Sequence, residues 1–199
     1  MGIVHGFRIA AAAVLLSAAA GVRAQEPPPG PRVLIRTELG DIEVAVDTVR
    51  APITGTNFLR YVDGGFFDGG QFFRVVRADN QPNDSVRIAV IQATVAAARR
   101  REGFPPIPLE RTSVTGLRHV DGCLSMARNG PDTATSSFSI CVGDQPELDF
   151  GGRRNPDGQG FAVFGRVVRG MDVVRAIHAR PAEGQRLRPA VRILDMGRM

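Results

Sequence analysis

The sequence predicts a mainly β domain, an antiparallel barrel or sandwich with two helices. Three observations carry that prediction. Short alternating apolar runs recur between turn-rich segments, only two stretches carry a helical pattern, and no internal repeat or composition break divides the chain. At 199 residues, 43% of them hydrophobic, the chain holds one domain of ordinary size with a real core, which excludes full disorder. The 23 Gly and 14 Pro follow no period, which excludes a fibrous class.

The elements read in order. Val33–Ile35 and Ile42–Val46 alternate around the turn at Gly40 and predict a β-hairpin. Ala51-Pro52 opens a helix through Asn57, Phe58, Leu59 and Val62, with Pro at an early helical position and Gly64-Gly65 as its stop. Phe66-Phe67 and Phe72–Val76 follow as strand-like runs, then a polar loop over Arg77–Val86 and a strand over Ile88–Val95. Ala96–Arg111 reads as a surface connection. Gly122–Ala127 and Ser137–Val142 are two β runs joined by the polar stretch Arg128–Ser136. Gly143–Gly160 is a long Gly/Asp/Pro-rich loop, Phe161–Val167 a strand, Met171–Ala179 a helix, and Arg192–Met196 the last strand.

Residues 1–24 place Arg8 before the apolar run Ile9–Ala20 and end on Val22-Arg23-Ala24, the n-region, h-region and small-x-small pattern of a signal peptide. The run is too short for a permanent transmembrane helix, so the expected mature protein is exported, periplasmic or secreted, and free of the membrane. Residues 25–32 form a Pro-rich leader, and 33–199 the domain. All 25 basic residues are Arg; the net charge is +5, and +3 once Arg8 and Arg23 leave with the signal. Because Arg never titrates, the high pI says little about nucleic acid, and no nucleic-acid partner is expected. Export permits disulfides. Pairing Met126 with Phe138 in a hairpin would set Cys123 opposite Cys141, close enough for a bridge. The alternative is two small buried thiols.

Most catalytic sets are missing from the pattern. His119 and His178 are isolated, no His pair has metal-ligand spacing, and each reads as a surface or half-buried residue; neither a metal nor a cofactor is expected. Ser136-Ser137 lacks a nucleophile-elbow context, and the Gly-Gly pairs lack the Lys and helix of a phosphate cradle. The run Arg99-Arg100-Arg101 reads as a solvated loop. Its alternative is an anion-binding surface on a structural β-domain, which salt-dependent polyanion binding would mark.

Six segments in order resemble the cyclophilin family of peptidyl-prolyl isomerases. They are Thr37–Ile42, Ala51-Pro52 with Asn57-Phe58, Phe73–Val76, Gly122–Arg128, Ser136–Ile140 and Phe161–Val167, spanning about Val33 to Met196. The resemblance implies a closed eight-stranded antiparallel β-barrel capped by two helices, with the active surface a shallow groove on its outside. It implies Arg74 as the catalytic arginine and Gln92 as the groove glutamine. Ala127, Arg128 and Asn129 would recognise the peptide backbone, and Val90, Leu148 and Phe161 would form the apolar proline pocket.

The chain departs from the family at Ser137, Ser139 and Glu147, where the family carries Gln or Glu, Phe and Trp, and at Phe161, where it carries His or Tyr. Losing an aromatic at Ser139 removes roughly 1–3 kcal/mol of pocket contact. The function implied is X–Pro isomerisation during folding of exported proteins, at an activity lowered by Ser137 and Ser139. The alternative is a catalytically weak peptide-binding or chaperone module. Partners would be proline-containing segments of unfolded proteins, and a closed barrel with few free edges implies a monomer.

Overall fold

The computed structural model describes residues 1–2 and 28–199, so all but the first two residues of the expected signal peptide, and the start of the Pro-rich leader, lie outside the described residues. The leader's described end packs against the domain: Pro28 is buried, and the Pro31 carbonyl accepts from the Val46 amide at 2.9 Å.

Strands β1 (Arg32–Thr37) and β2 (Gly40–Val46) form the expected hairpin, with Ile35 opposite Ile42 and Thr37 opposite Gly40. Then come α1 (Pro52–Asp63), β3 (Gln71–Val76), β4 (Val90–Thr94) and a single helical turn α2 (Thr112–Thr115). β5 (Cys123–Met126), β6 (Phe138–Cys141), β7 (Ala162–Arg169), α3 (Met171–His178), the two-residue β8 (Ala182–Glu183) and the long β9 (Arg186–Arg198) complete the chain. The sheet runs β1-β2-β7-β5-β6-β4-β3-β9 and closes through a β1–β9 ladder, with β8 hanging from β9. This is the closed antiparallel eight-stranded barrel. Closure gives all eight strands two neighbours and leaves β8 as the only free edge among the described residues.

Three expectations need correction. Phe66-Phe67 is a turn, because both rings are buried beneath α1 rather than alternating along a sheet. α2 is a third, one-turn helix, and the last strand begins six residues before Arg192.

Burying one aromatic face fixes α1 on the barrel. Phe58 lies 5.2 Å from Phe138 of β6 in an edge-to-face contact, 5.1 Å from Phe164 of β7 and 5.8 Å from Phe67. Pro52 removes one orphan N–H from the first turn, and the Glu110 carboxylate accepts the next two amides, Ile53 at 3.0 Å and Thr54 at 2.7 Å. Removing that distant cap with Glu110→Ala should lower stability by about 1 kcal/mol, read as a Tm fall of roughly 2–4 °C. An unchanged Tm would show that solvent caps the helix equally well.

The polar loop after β3 folds back on itself. Buried Gln81 accepts from the Ile88 amide (3.1 Å) and donates to the Ile88 carbonyl (2.8 Å), closing the loop where β4 begins. The ladder therefore resumes with Val76 opposite Val90 and Arg74 opposite Gln92. Hairpin β5–β6 takes the expected register, Met126 opposite Phe138. Cys123 and Cys141 are nevertheless both free, buried thiols, and burial together with hydrogen bonding to Cys141 pushes the Cys123 thiol well above its ordinary range.

Candidate active site

A single row of side chains crosses the outer face of the barrel. Ladder partners pair Ser125 with Ser139, Ser139 with Gln92, Gln92 with Arg74, and Arg74 with Arg186. Directly paired residues share a face, so five strands align one strip of polar groups although up to 112 positions separate partners in sequence.

The part of the strip from Ser125 to Arg74 floors a groove of about 390 Å³, and Arg186 lies outside it. All ten residues singled out from the sequence line it: Arg74, Val90, Gln92, Ala127, Arg128, Asn129, Ser137, Ser139, Leu148 and Phe161. Val90 and Leu148 are buried and Phe161 half-buried, which makes an apolar wall beside the strip. Glu147 stays outside the groove and pairs with Arg153 at 3.0 Å. Sequence reasoning missed Ile88, Ser125, Thr133, Thr135, Arg154 and Asn155 in the lining.

Arg74 is fixed from two sides. Its Nη1 donates to Gln92 Oε1 at 2.9 Å, while Nε (3.0 Å) and Nη2 both donate to Gln185 Oε1. A guanidinium carries five N–H groups, so these bonds use three and leave one on each terminal nitrogen. Burial, and then the charge of Arg154, pull the Arg74 pKa down, while Asp84 opposes them. Arg154 is held off by its bridge to Asp84 (3.0 Å) and its bond to the Val86 carbonyl (2.7 Å), which ties the polar loop after β3 to the Gly143–Gly160 loop. Gln185 carried no local signal: it sits in the β8–β9 turn, 111 residues from its partner.

The groove's far rim is built on Arg128. Its Nε donates to the Gly160 carbonyl at 2.8 Å, its two terminal nitrogens hold Asp157 at 2.7 and 2.9 Å, and its guanidinium lies 5.0 Å from the Phe161 ring centre. Gly160, at φ +65°, lets the chain press against the Asp149 and Leu148 backbone, where a Cβ would meet carbonyl atoms at 2.7 Å. These Arg128 bonds, with one from the Gln159 amide, lower the Asp157 pKa to about 2. That is below the ordinary carboxylate value, so the stabilisation is present above about pH 4 and lost as pH falls through 2. Phe161 resonances should therefore hold steady from pH 8 to 5 and shift only below pH 4. A rim transition near neutrality would contradict the arrangement.

Beneath the groove lies a buried polar set. His119 Nδ1 is 2.7 Å from Asp149 Oδ1, and Nε2 is 2.9 Å from Ser125 Oγ. His119 is 1% exposed, which corrects the expectation of a surface or half-buried residue; half-buried His178 fits that expectation, with Nε2 3.0 Å from the Val76 carbonyl. The set has the connectivity of a hydrolase triad without its machinery. Ser125 sits mid-strand, paired through β6 on one side and β7 on the other, and so lacks free backbone N–H donors for an oxyanion. Its role is structural: it joins the Leu148–Asp149 wall to the groove floor.

A closed antiparallel barrel whose shallow outer groove sets Arg74, held from two sides, beside an apolar wall defines a class of β-barrel with its site on the outer face. The comparisons give that class its family. Residues 32–198 match the model of the cyclophilin type peptidyl-prolyl cis-trans isomerase family. Peptidyl-prolyl cis-trans isomerase A of Dickeya dadantii is 36% identical over 146 residues, 73% of this chain and 70% of that protein. The peptidyl-prolyl cis-trans isomerase of Acinetobacter baylyi is 37% identical over the same shares. A solved cyclophilin type isomerase of Cryptosporidium parvum superposes with a TM-score of 0.67 at 20% identity, covering 85% of this chain and 97% of that one, and shows the fold. The chain belongs to the cyclophilin-type peptidyl-prolyl cis-trans isomerases.

Proposed function

We propose that this protein accelerates X–Pro isomerisation in exported, incompletely folded proteins, with Arg74 as the transition-state donor. The observation that carries the reading is the clamped Arg74 guanidinium, two N–H groups free, lining the same groove as Val90, Leu148 and Phe161. Amide resonance sets the rotation barrier at roughly 18–20 kcal/mol. Twisting the bond removes that resonance and leaves a lone pair on a pyramidal prolyl nitrogen. A fixed guanidinium can donate to that lone pair only in the twisted state, so its bond stabilises the transition state over either ground state. The apolar wall would hold the ring while the preceding residue turns, and no base, nucleophile or metal takes part in such a step.

Several features support the rest. Ala127, Arg128 and Asn129 border the groove where an extended peptide would lie, and a Cryptosporidium parvum relative of the same fold was solved in the presence of the dipeptide Ala-Pro. Export rests on the signal pattern of residues 1–24, and among the described residues no helix is long and apolar enough to cross a membrane. The closed strand order, which leaves few free strand edges, supports a monomer.

NMR exchange on a panel of X–Pro tetrapeptides tests the function with residues 25–199. The expected result is faster cis/trans exchange on at least one peptide. Ser139→Phe, which restores apolar surface in the groove, should lower KM by about threefold to tenfold, as partial burial of an aromatic ring implies. Peptide binding without acceleration would replace catalysis by the second reading, a peptide-holding module, which Ser137 and Ser139 in the groove favour.

A further inference from the structure

The polar strip continues past Arg74 and out of the groove. Arg186 is the ladder partner of Arg74 on its far side, and beyond it opens a second cleft of about 570 Å³. Gln71, Phe73, Arg74, Thr94, Arg100, Gln185 and Arg186 line it, three of them cationic and none a carboxylate. Neighbouring acids are engaged elsewhere: Glu102 pairs with Arg99 at 2.7 Å, and Glu183, opposite Arg186 in the β8–β9 ladder, bonds Arg188 at 3.1 Å. Arg100 and Arg186 are exposed and make no ion pair among the described residues, whereas fifteen other ion pairs absorb much of the remaining charge. Of the Arg99-Arg100-Arg101 run, Arg99 stacks on Phe66 at 4.2 Å, and Arg100 reaches this cleft.

Resting on the peptide-groove reading, we propose that this cleft receives an acidic side chain near the proline of the bound segment, so that the protein prefers X–Pro sites flanked by Asp or Glu. Arg74 lines both cavities, so a chain lying across its guanidinium with proline against Phe161 carries its next residues onto Arg100 and Arg186. Unpaired guanidinium groups offer a carboxylate two-pronged donation without first breaking an internal ion pair. Phe73 supplies the apolar floor along which the methylenes of a Glu would lie.

The test uses matched peptides with Glu, Gln or Lys placed in turn at the two positions on each side of proline, with the 25–199 chain at about 20 mM and then at higher salt. At one position Glu should exceed Gln in kcat/KM by about threefold to tenfold at low salt, and Lys should fall below Gln, as expected for partly exposed charge pairs. Raising salt to about 0.5 M should shrink the gap. The double variant Arg100→Glu, Arg186→Glu should reverse the order while leaving the all-neutral peptide's exchange unchanged. A flat Glu/Gln/Lys profile at every position overturns the proposal. So does a preference that survives both salt and the double variant. Exchange on the neutral peptide reads the isomerase separately. Should that be absent, the same Glu/Gln ratio measured by peptide titration still decides the cleft's role.

Discussion

Arg74→Ala should cost about 10²- to 10³-fold in kcat/KM on an X–Pro peptide, the loss typical of removing one preorganised donor from a developing lone pair. Stability should change little, because the side chain points into an open groove and leaves behind Gln92 and Gln185, whose carbonyls water can reach. Arg74→Lys tests the clamp more finely. A lysine keeps the charge but is a single point donor, and it cannot bond both glutamines while presenting N–H groups to the peptide. It should therefore recover only a minor part of the loss. Full recovery would mean that charge alone serves and that the two-sided clamp is incidental.

The largest effect on stability should come from His119→Leu, a fall of roughly 2–4 kcal/mol, or about 5–15 °C in Tm. Leucine approximates the volume of the ring and removes both of its bonds. Asp149, 5% exposed, keeps the His119 backbone amide at 3.1 Å and Arg118 at 3.6 Å but loses its 2.7 Å partner, and Ser125 Oγ loses its partner at 2.9 Å. The ring thus spans the two groups, Nδ1 meeting the Asp149 carboxyl and Nε2 the Ser125 hydroxyl. No leucine atom can satisfy either side. A Tm within about 2 °C of the parent would show that water fills the site. Because Leu148 precedes Asp149 in the apolar wall, the same variant should also raise KM.

The barrel was legible because closing a sheet demands local signals: alternating runs, Gly turns and a Pro-initiated helix at Ala51-Pro52. The register of β5 and β6 could be read because Met126 and Phe138 must both face the core. Phe66-Phe67 misled, since two adjacent aromatics satisfy an apolar run whether they extend along a strand or are swallowed by a turn under a helix. Within the site, Arg74 and Gln92 lie on neighbouring strands, eighteen residues apart, and stood out through the segments around them. Gln185 and Asp149 did not. A glutamine in a hairpin turn and an aspartate in a Gly-rich loop are ordinary by local rules, and only three-dimensional closure brings them to Arg74 and His119. His119 looked isolated because both of its partners are distant or weakly typed side chains, a serine six residues on and an aspartate thirty residues on.

The most direct test separates binding from turnover at Arg74. For the 25–199 chain and Arg74→Ala, exchange line shapes recorded over a range of concentrations of one X–Pro tetrapeptide give both the dissociation constants and the exchange rate of the bound peptide. A donor that acts only on the twisted amide predicts that the bound-state rate falls about 10²-fold or more while the affinities for the cis and trans forms shift by less than about threefold. Equal losses in affinity and rate, or an unchanged bound-state rate, would contradict the assignment of Arg74 to the transition state.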